Sequence, residues 1–333
     1  MKTKSILLTA PHRAEVVEED VPALQPGEVL VKLARSAISS GTERSNYVGD
    51  PDVSVFGRPA PFPRRVGYSS SGVVLEVAPD VKDLCPGDRV ALSWSKHTLY
   101  NAMPASRVYR LPDAVSFEDA AWAHIATFPM AAIRKCRLEI GEPALVMGQG
   151  VLGQIAVMLL KAGGAAPVVA ADPLAERRAA ALKGGADLAF DPTASDFAAQ
   201  VKAATLGGAR CVVEVTGVGA AMNTALDAIA RYGRMALLGC TRRSDFTVDY
   251  YHKVHGAGVT LVGAHTMARP AADSAPGWWT ERDDALTFLR FLSGGRVSLA
   301  GFTERQCPYA DAPKVFEELA AGGAFPNTEF IWE

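Results

Sequence analysis

Apolar and polar positions alternate through the first third of the chain and then change period. Residues 28–37 place Val29, Val31 and Leu33 on one face, and 72–77 and 89–92 predict further strands. Pro26-Gly27 and Pro86-Gly87 mark turns. From about Glu118 helical and strand patterns alternate. Strands are predicted at Leu145-Val146-Met147, 168–171, 188–190, 211–215, 235–238 and 259–262. Helices are predicted at 151–162, 174–183, 196–206 and 220–232. Six short strands separated by helices predict a doubly wound parallel sheet, hence an α/β protein. The tail from Trp278 carries helices at 283–292 and 312–321 and a strand at 328–332, and it is assigned back to the β-rich part. The expected domains are therefore 1–120 with 270–333, and 121–269. No internal repeat or low-complexity linker interrupts them.

The turn after Met147 carries the chemistry. Gly148-Gln149-Gly150-Val151-Leu152-Gly153 follows an apolar strand and opens an apolar helix, and Asp172 ends the next strand. This is the Rossmann dinucleotide fingerprint in its full context. Gly148 permits the tight turn, Gly150 admits a pyrophosphate, and Gly153 lets helix and strand pack closely. Val151 and Leu152 lie at the helix N-terminus, where free N–H groups and the helix dipole favour phosphate. Asp172 is expected to accept hydrogen bonds from the adenosine ribose and to repel the extra phosphate of NADP, so NAD is the expected cofactor. Arg177, in the following helix, is available to a phosphate. Thr216, Gly217, Gly239, Cys240 and Gly263 end successive strands, the edge at which open α/β sheets bind ligands. They are expected to flank the nicotinamide.

Composition narrows the class. With 333 residues, 49% hydrophobic and 21% charged, the chain has the makings of two globular cores. A formal net charge of −2 gives no argument for nucleic acid or an acidic membrane surface. No apolar run approaches a membrane span, and 5–10 is too short for a signal-peptide core. Cys85, Cys136, Cys211, Cys240 and Cys307 are odd in number and scattered, as expected of reduced cysteines in a cytoplasmic protein.

Several motifs carry a resemblance over nearly the whole chain. Pro26-Gly27-Glu28-Val29-Leu30-Val31, Ser40-Gly41-Thr42-Glu43, Arg65-Val66-Gly67-Tyr68-Ser69 and Pro86-Gly87-Asp88-Arg89-Val90 resemble the medium-chain dehydrogenase/reductase, or alcohol dehydrogenase-like, superfamily. The resemblance implies a GroES-like β-rich catalytic domain beside the Rossmann domain, a small-molecule substrate, and a homodimer formed through the last Rossmann strand. Zinc members of the superfamily hold a catalytic metal by a Cys, a His and a further Cys or Glu. At the matching positions this chain has Ser40, Tyr68 and His124, with Ser69 beside Tyr68, and the four-cysteine structural loop is missing. One imidazole and hydroxyls do not make a zinc site, so no metal is expected. The Ser-Gly-Thr-Glu wording resembles a zinc-less branch that includes bacteriochlorophyllide dehydrogenases and polyol-dehydrogenase-like proteins.

Without zinc, hydroxyl and imidazole groups must handle the alcohol proton and the developing alkoxide charge. Thr42 matches the superfamily's relay hydroxyl, or else caps a helix. Tyr68 is an acid/base candidate, since a neighbouring cation favours phenolate, or it fills the space a metal would occupy. His124 is a proton exchanger at neutral pH or a wall residue. Trp94 resembles a pocket-lining aromatic, or is a core tryptophan. Lys96 and His97 offer a cation or substrate contacts, or belong to a solvated loop. His265 reaches substrate or caps a turn. The reading is a zinc-independent enzyme moving a hydride between NAD(H) and a secondary alcohol or ketone, polar or sugar-like. An NADPH-dependent enoyl or quinone reductase of the same fold and a catalytically silent dinucleotide-binding protein remain as alternatives.

Overall fold

The change of period along the chain becomes a change of architecture. A computed structural model describes residues 1–54, 61–244 and 246–332, and it divides into two units, Met1–Ile125 with Ala285–Glu333, and Ala126–Asp284. The chain thus returns to the first unit at Ala285, whereas the sequence pattern puts that return at 270.

In the second unit six parallel strands form one sheet, in the order Leu188–Phe190, Val168–Ala171, Ala144–Met147, Ala209–Glu214, Ile229–Leu237 and Thr260–Gly263. The chain order reverses between Ala144–Met147 and Ala209–Glu214, which opens a crevice at their C-terminal ends. Ala144–Met147 is apolar and buried along its whole length, and Ala209–Glu214 is buried except at Arg210, as a sheet covered by helices requires. One expected helix is corrected. Residues 220–232 are helical only to Ala228, within the helix Gly219–Ala228, and strand begins at Ile229. The Tyr232-Gly233 step carries an irregularity, with Tyr232 at φ 61°, where pairing jumps from Ala209↔Ile229 to Cys211↔Arg234.

The first unit is built on a seven-stranded sheet. Arg305–Pro308, Thr328–Ile331, Glu28–Ala37, Ser69–Val77, Arg89–Ser93 and Val108–Arg110 lie in that order, and Tyr100–Pro104 also pairs with Glu28–Ala37. A second sheet joins Arg13–Asp20, Lys2–Ala10 and Arg64–Arg65. Ile6, Leu8, Val29, Val31, Leu33, Val90, Leu92, Phe316, Phe330 and Trp332 share one core. Burying each of the larger side chains contributes about 1.5–3 kcal/mol. No helix among the described residues is long and apolar enough to cross a membrane.

Glu329 is fully buried in this unit, and burial pushes its carboxyl up to about 8. Thr303 Oγ1 donates to its Oε1 at 3.1 Å and accepts from Trp122 Nε1 at 3.0 Å. A raised folded pKa means that the folded state holds a proton which the unfolded chain has released. The proton-linked stability is fully present below the ordinary carboxylate range and is lost as pH rises through about 8. Glu329→Gln is therefore expected to flatten the fall of melting temperature between the ordinary glutamate range and about pH 8, measured by calorimetry across that window.

Candidate active site

The dinucleotide crevice lies wholly within the second unit. Gly148 has φ 93°, and a Cβ there would lie 2.8 Å from Thr216 Cγ2. A Cβ on Gly153 would overlap the Gly148 carbonyl oxygen, so helix and turn touch through bare backbone. A Cβ on Gly150 would meet nothing within 4 Å, which leaves open space where the fingerprint needs room for phosphate. Gly150 is also the N-cap of the helix Val151–Ala162, and no side chain caps that helix. The first-turn N–H groups of Val151 and Leu152 therefore have no intrahelical partner. This arrangement fits a dinucleotide: Gly150 and the helix N-terminus would hold the pyrophosphate.

Asp172 has 3% of its surface exposed and already accepts two backbone bonds, from Gln149 N to Oδ2 at 2.8 Å and from Leu174 N to Oδ1 at 2.9 Å. Each carboxylate oxygen keeps a further lone pair for a ribose hydroxyl. Arg177 Nη1 stands 3.8 Å from Asp172 Oδ2, and Arg178 Nη1 donates to the Asp172 carbonyl at 2.7 Å. The Arg177 cation, read from the sequence as available to a phosphate, thus lies beside the Asp172 carboxylate.

At the ends of the neighbouring strands, Glu214 organises the turn in a way the sequence pattern did not flag. Its Oε1 accepts from Thr216 N at 2.7 Å and from the Thr216 hydroxyl, and both its oxygens accept from Gly217 N at 3.2 Å. Burial raises its carboxyl pKa. Gly217 and Gly239 abut so closely that a Cβ on Gly217 would lie 2.7 Å from the Cys240 carbonyl. Cys240 is exposed. Beyond Gly263, His265 Nδ1 accepts from Met267 N at 3.1 Å, so the turn-capping alternative describes its bond. Burial and the Lys135 cation lower the His265 pKa. Lys135, also unflagged, donates to the Gly263 and Ala268 carbonyls at 3.1 and 2.5 Å, and burial lowers its ammonium to about 8.

The first unit brings three of the expected site residues together. The rings of Trp94 and His124 lie 4.7 Å apart edge to face, Tyr68 and His124 5.5 Å apart, and Tyr68 and Trp94 6.1 Å apart. Trp94 N donates to the Tyr68 carbonyl at 2.7 Å, which locks the two segments together. Trp94 takes φ 62°, a conformation that L side chains rarely adopt. His124, 1% exposed, opens the helix Ala123–Lys135, while Tyr68 and Trp94 are half-buried. Thr42 lies inside the helix Ser40–Val48, whose N-cap is Ser39, so the capping alternative for Thr42 is corrected.

Two further expectations separate. Lys96 is half-buried, and burial lowers its pKa against the opposing pull of Glu43. His97 is not a loop residue facing substrate: it is 1% exposed, and both ring nitrogens are engaged inside the unit, with Ser36 Oγ at 2.7 Å and Glu43 Oε2 at 3.0 Å.

The superfamily's zinc finds no fitting donor set. Ser40 and Tyr68 offer neutral hydroxyls, Ser69 Oγ donates to the Ala121 carbonyl at 2.5 Å, and His124 alone supplies an imidazole. Zinc needs thiolate, imidazole or carboxylate donors. Among the described residues no three His, Cys, Asp or Glu side chains gather as metal ligands.

Comparison with known proteins adds the following. The zinc-binding dehydrogenase family model matches residues 151–275, and that of the alcohol dehydrogenase GroES-like domain matches 25–136. A D-guloside 3-dehydrogenase of Shigella flexneri is 26% identical, over 94% of this chain and 95% of its own. A short chain alcohol dehydrogenase from E. coli CFT073 complexed with NADH superposes with a TM-score of 0.83 at 18% identity, covering 99% of each chain. A protein from Sinorhizobium meliloti 1021 bound to NADP reaches the same TM-score of 0.83 at 20% identity, covering 99% of each chain.

Proposed function

We propose, for a chain that belongs to the alcohol dehydrogenase-like medium-chain dehydrogenase/reductase superfamily, that it is a zinc-independent oxidoreductase of secondary alcohols and ketones, polar or sugar-like, using NAD(H). The observation that carries the reading is the Tyr68–Trp94–His124 ring cluster, in which the two residues matched by motif to metal-ligand positions, Tyr68 and His124, pack together with Trp94 and offer no zinc donor set. When bound, the nicotinamide accepts or gives the hydride. The chain's own groups must do the rest. In reduction, the Tyr68 hydroxyl and the His124 imidazole donate toward the carbonyl oxygen and stabilise its developing negative charge. In oxidation the same groups take the hydroxyl proton as the carbinol hydride leaves. Thr42 supplies a second hydroxyl for that proton. The half-buried face of Trp94 offers an apolar wall to the C–H face of a sugar-like ring, in keeping with the D-guloside activity of a relative.

Asp172 supports NAD over NADP, because a ribose phosphate would face a carboxylate. The exposure of Thr260, Leu261 and Gly263, on the outermost strand of the parallel sheet, supports a homodimer in which a second copy extends the sheet. NADH formation across a panel of polyols, glycosides and simple secondary alcohols tests the activity. Binding of NADH with no turnover of any alcohol or ketone would overturn it.

Zinc independence has its own test. The purified protein is expected to carry no stoichiometric zinc and to keep its turnover in chelator, because hydroxyls replace the ligands. Elemental analysis giving one zinc per chain, with activity lost on chelation, refutes it.

A further inference from the structure

His97, Ser36 and Glu43 form a buried chain in the first unit that neither hydride transfer nor substrate contact uses. His97, Ser36, Glu43 and Trp332 are each 1% exposed. Trp332 Nε1 lies 2.8 Å from Ser36 Oγ, Ser36 Oγ 2.7 Å from His97 Nδ1, and His97 Nε2 3.0 Å from Glu43 Oε2. The direction of the chain follows from its ends. An indole N–H can only donate and a carboxylate only accept. Ser36 Oγ therefore accepts from Trp332 and turns its own hydrogen to His97 Nδ1, and His97 Nε2–H donates to Glu43. A doubly protonated ring would make Ser36 accept twice and strand its hydrogen away from water, at a cost.

What the chain holds is the substrate half of the site. Glu43 Oε1 accepts from Ser39 N at 3.0 Å, so the same carboxylate closes the N-terminus of the helix that carries Thr42. Gly67 packs directly against the imidazole: with φ 90°, a Cβ there would sit 2.8 Å from His97 Cγ. Tyr68 is the next residue. His97 N donates to the Val66 carbonyl at 2.9 Å, and Phe330 packs edge-on against the ring at 5.2 Å. One imidazole thus spaces the Thr42 helix from the Tyr68 segment and ties both to the last strand.

We infer that His97, fixed as its Nε2–H tautomer between Ser36 and Glu43, is the positioning residue that sets Thr42 and Tyr68 relative to each other. This rests on the oxidoreductase reading above. Misplacing reacting groups by about 1 Å costs up to about a hundredfold in rate.

The test has a spectroscopic arm and a kinetic arm. The chain has only six histidines, so ring-nitrogen NMR on histidine-labelled protein can be assigned by the signal that His97→Gln removes. The expected signal has a protonated Nε2 and a bare Nδ1, and the opposite tautomer overturns the inference. His97→Phe keeps a flat ring and removes both nitrogens. It is expected to lower kcat by about ten- to a hundredfold with NADH affinity unchanged, and His97→Gln, which keeps an N–H toward Glu43, should recover part of the loss. Unchanged kcat and KM in His97→Phe overturn it. If His97→Phe does not fold, Ser36→Ala, which removes the donor to Nδ1, decides: reduced kcat with NADH affinity unchanged supports the inference, and unchanged kcat and KM overturn it. A wild type that turns over no alcohol or ketone removes the oxidoreductase reading and the positioning role with it. Normal turnover with the wrong tautomer removes the positioning role alone.

Discussion

Replacing Tyr68 with phenylalanine is expected to slow hydride transfer at least about tenfold while leaving NAD affinity unchanged. Removing one donor aimed at a developing oxyanion commonly costs about a hundred- to a thousandfold in turnover, and here His124 stands beside the phenol as a second donor. Phenylalanine preserves the ring that packs 5.5 Å from His124 and 6.1 Å from Trp94, so the comparison isolates the hydroxyl. The phenol belongs to the first unit and the dinucleotide fingerprint to the second, which is why cofactor binding should be spared. Single-turnover kinetics with a deuterated alcohol would report the hydride step itself. Normal turnover by Tyr68→Phe, with Tyr68→Ala merely less stable, would make the ring a filler and pass the proton to Thr42 or His124.

The second large effect concerns Asp172. NADH is expected to bind well ahead of NADPH, and Asp172→Ala to narrow the gap by weakening NADH. A hydrogen bond to a charged group contributes about 1.5–3 kcal/mol, roughly ten- to a hundredfold in affinity for each ribose hydroxyl lost. The carboxylate also receives Gln149 N and Leu174 N, so alanine loosens the fingerprint turn as well. Asp172→Asn separates the two roles: it keeps an acceptor for one of those N–H groups and removes the charge that repels a phosphate. With the acid gone, Arg177 also loses the carboxylate 3.8 Å away. Calorimetric titration of both cofactors into the three proteins decides the matter; equal affinities in the wild type would refute the assignment.

The cofactor side was legible in the sequence because its requirements are local. A positive φ at Gly148, backbone contact at Gly153 and open space at Gly150 are each met by glycine and by little else. The substrate side was legible only in part. Tyr68, Trp94 and His124 could be placed by motif, and they do meet. His97 could not, because its partners lie 61 and 54 residues away in sequence and the pattern around it reads as a loop. Glu214 and Lys135 escaped for a similar reason: each looks like an ordinary charged residue until the fold buries it against turn backbone. The helix expected to reach Tyr232 failed because composition there suits either period, and pairing with Ala209–Glu214 chooses strand.

The discontinuity of the first unit has a consequence for how the protein is made. Residues 126–284 emerge from the ribosome as one uninterrupted stretch and can complete their parallel sheet as soon as they are clear of it. The first unit has no such freedom. Its sheet lacks two strands, Arg305–Pro308 and Thr328–Ile331, until those residues are made, and the Arg35–Ala37 end of Glu28–Ala37 waits for its second partner for nearly three hundred residues. During that wait the half of the molecule that was translated first is the half still exposed to aggregation and to chaperones. The second unit, begun later, is finished earlier.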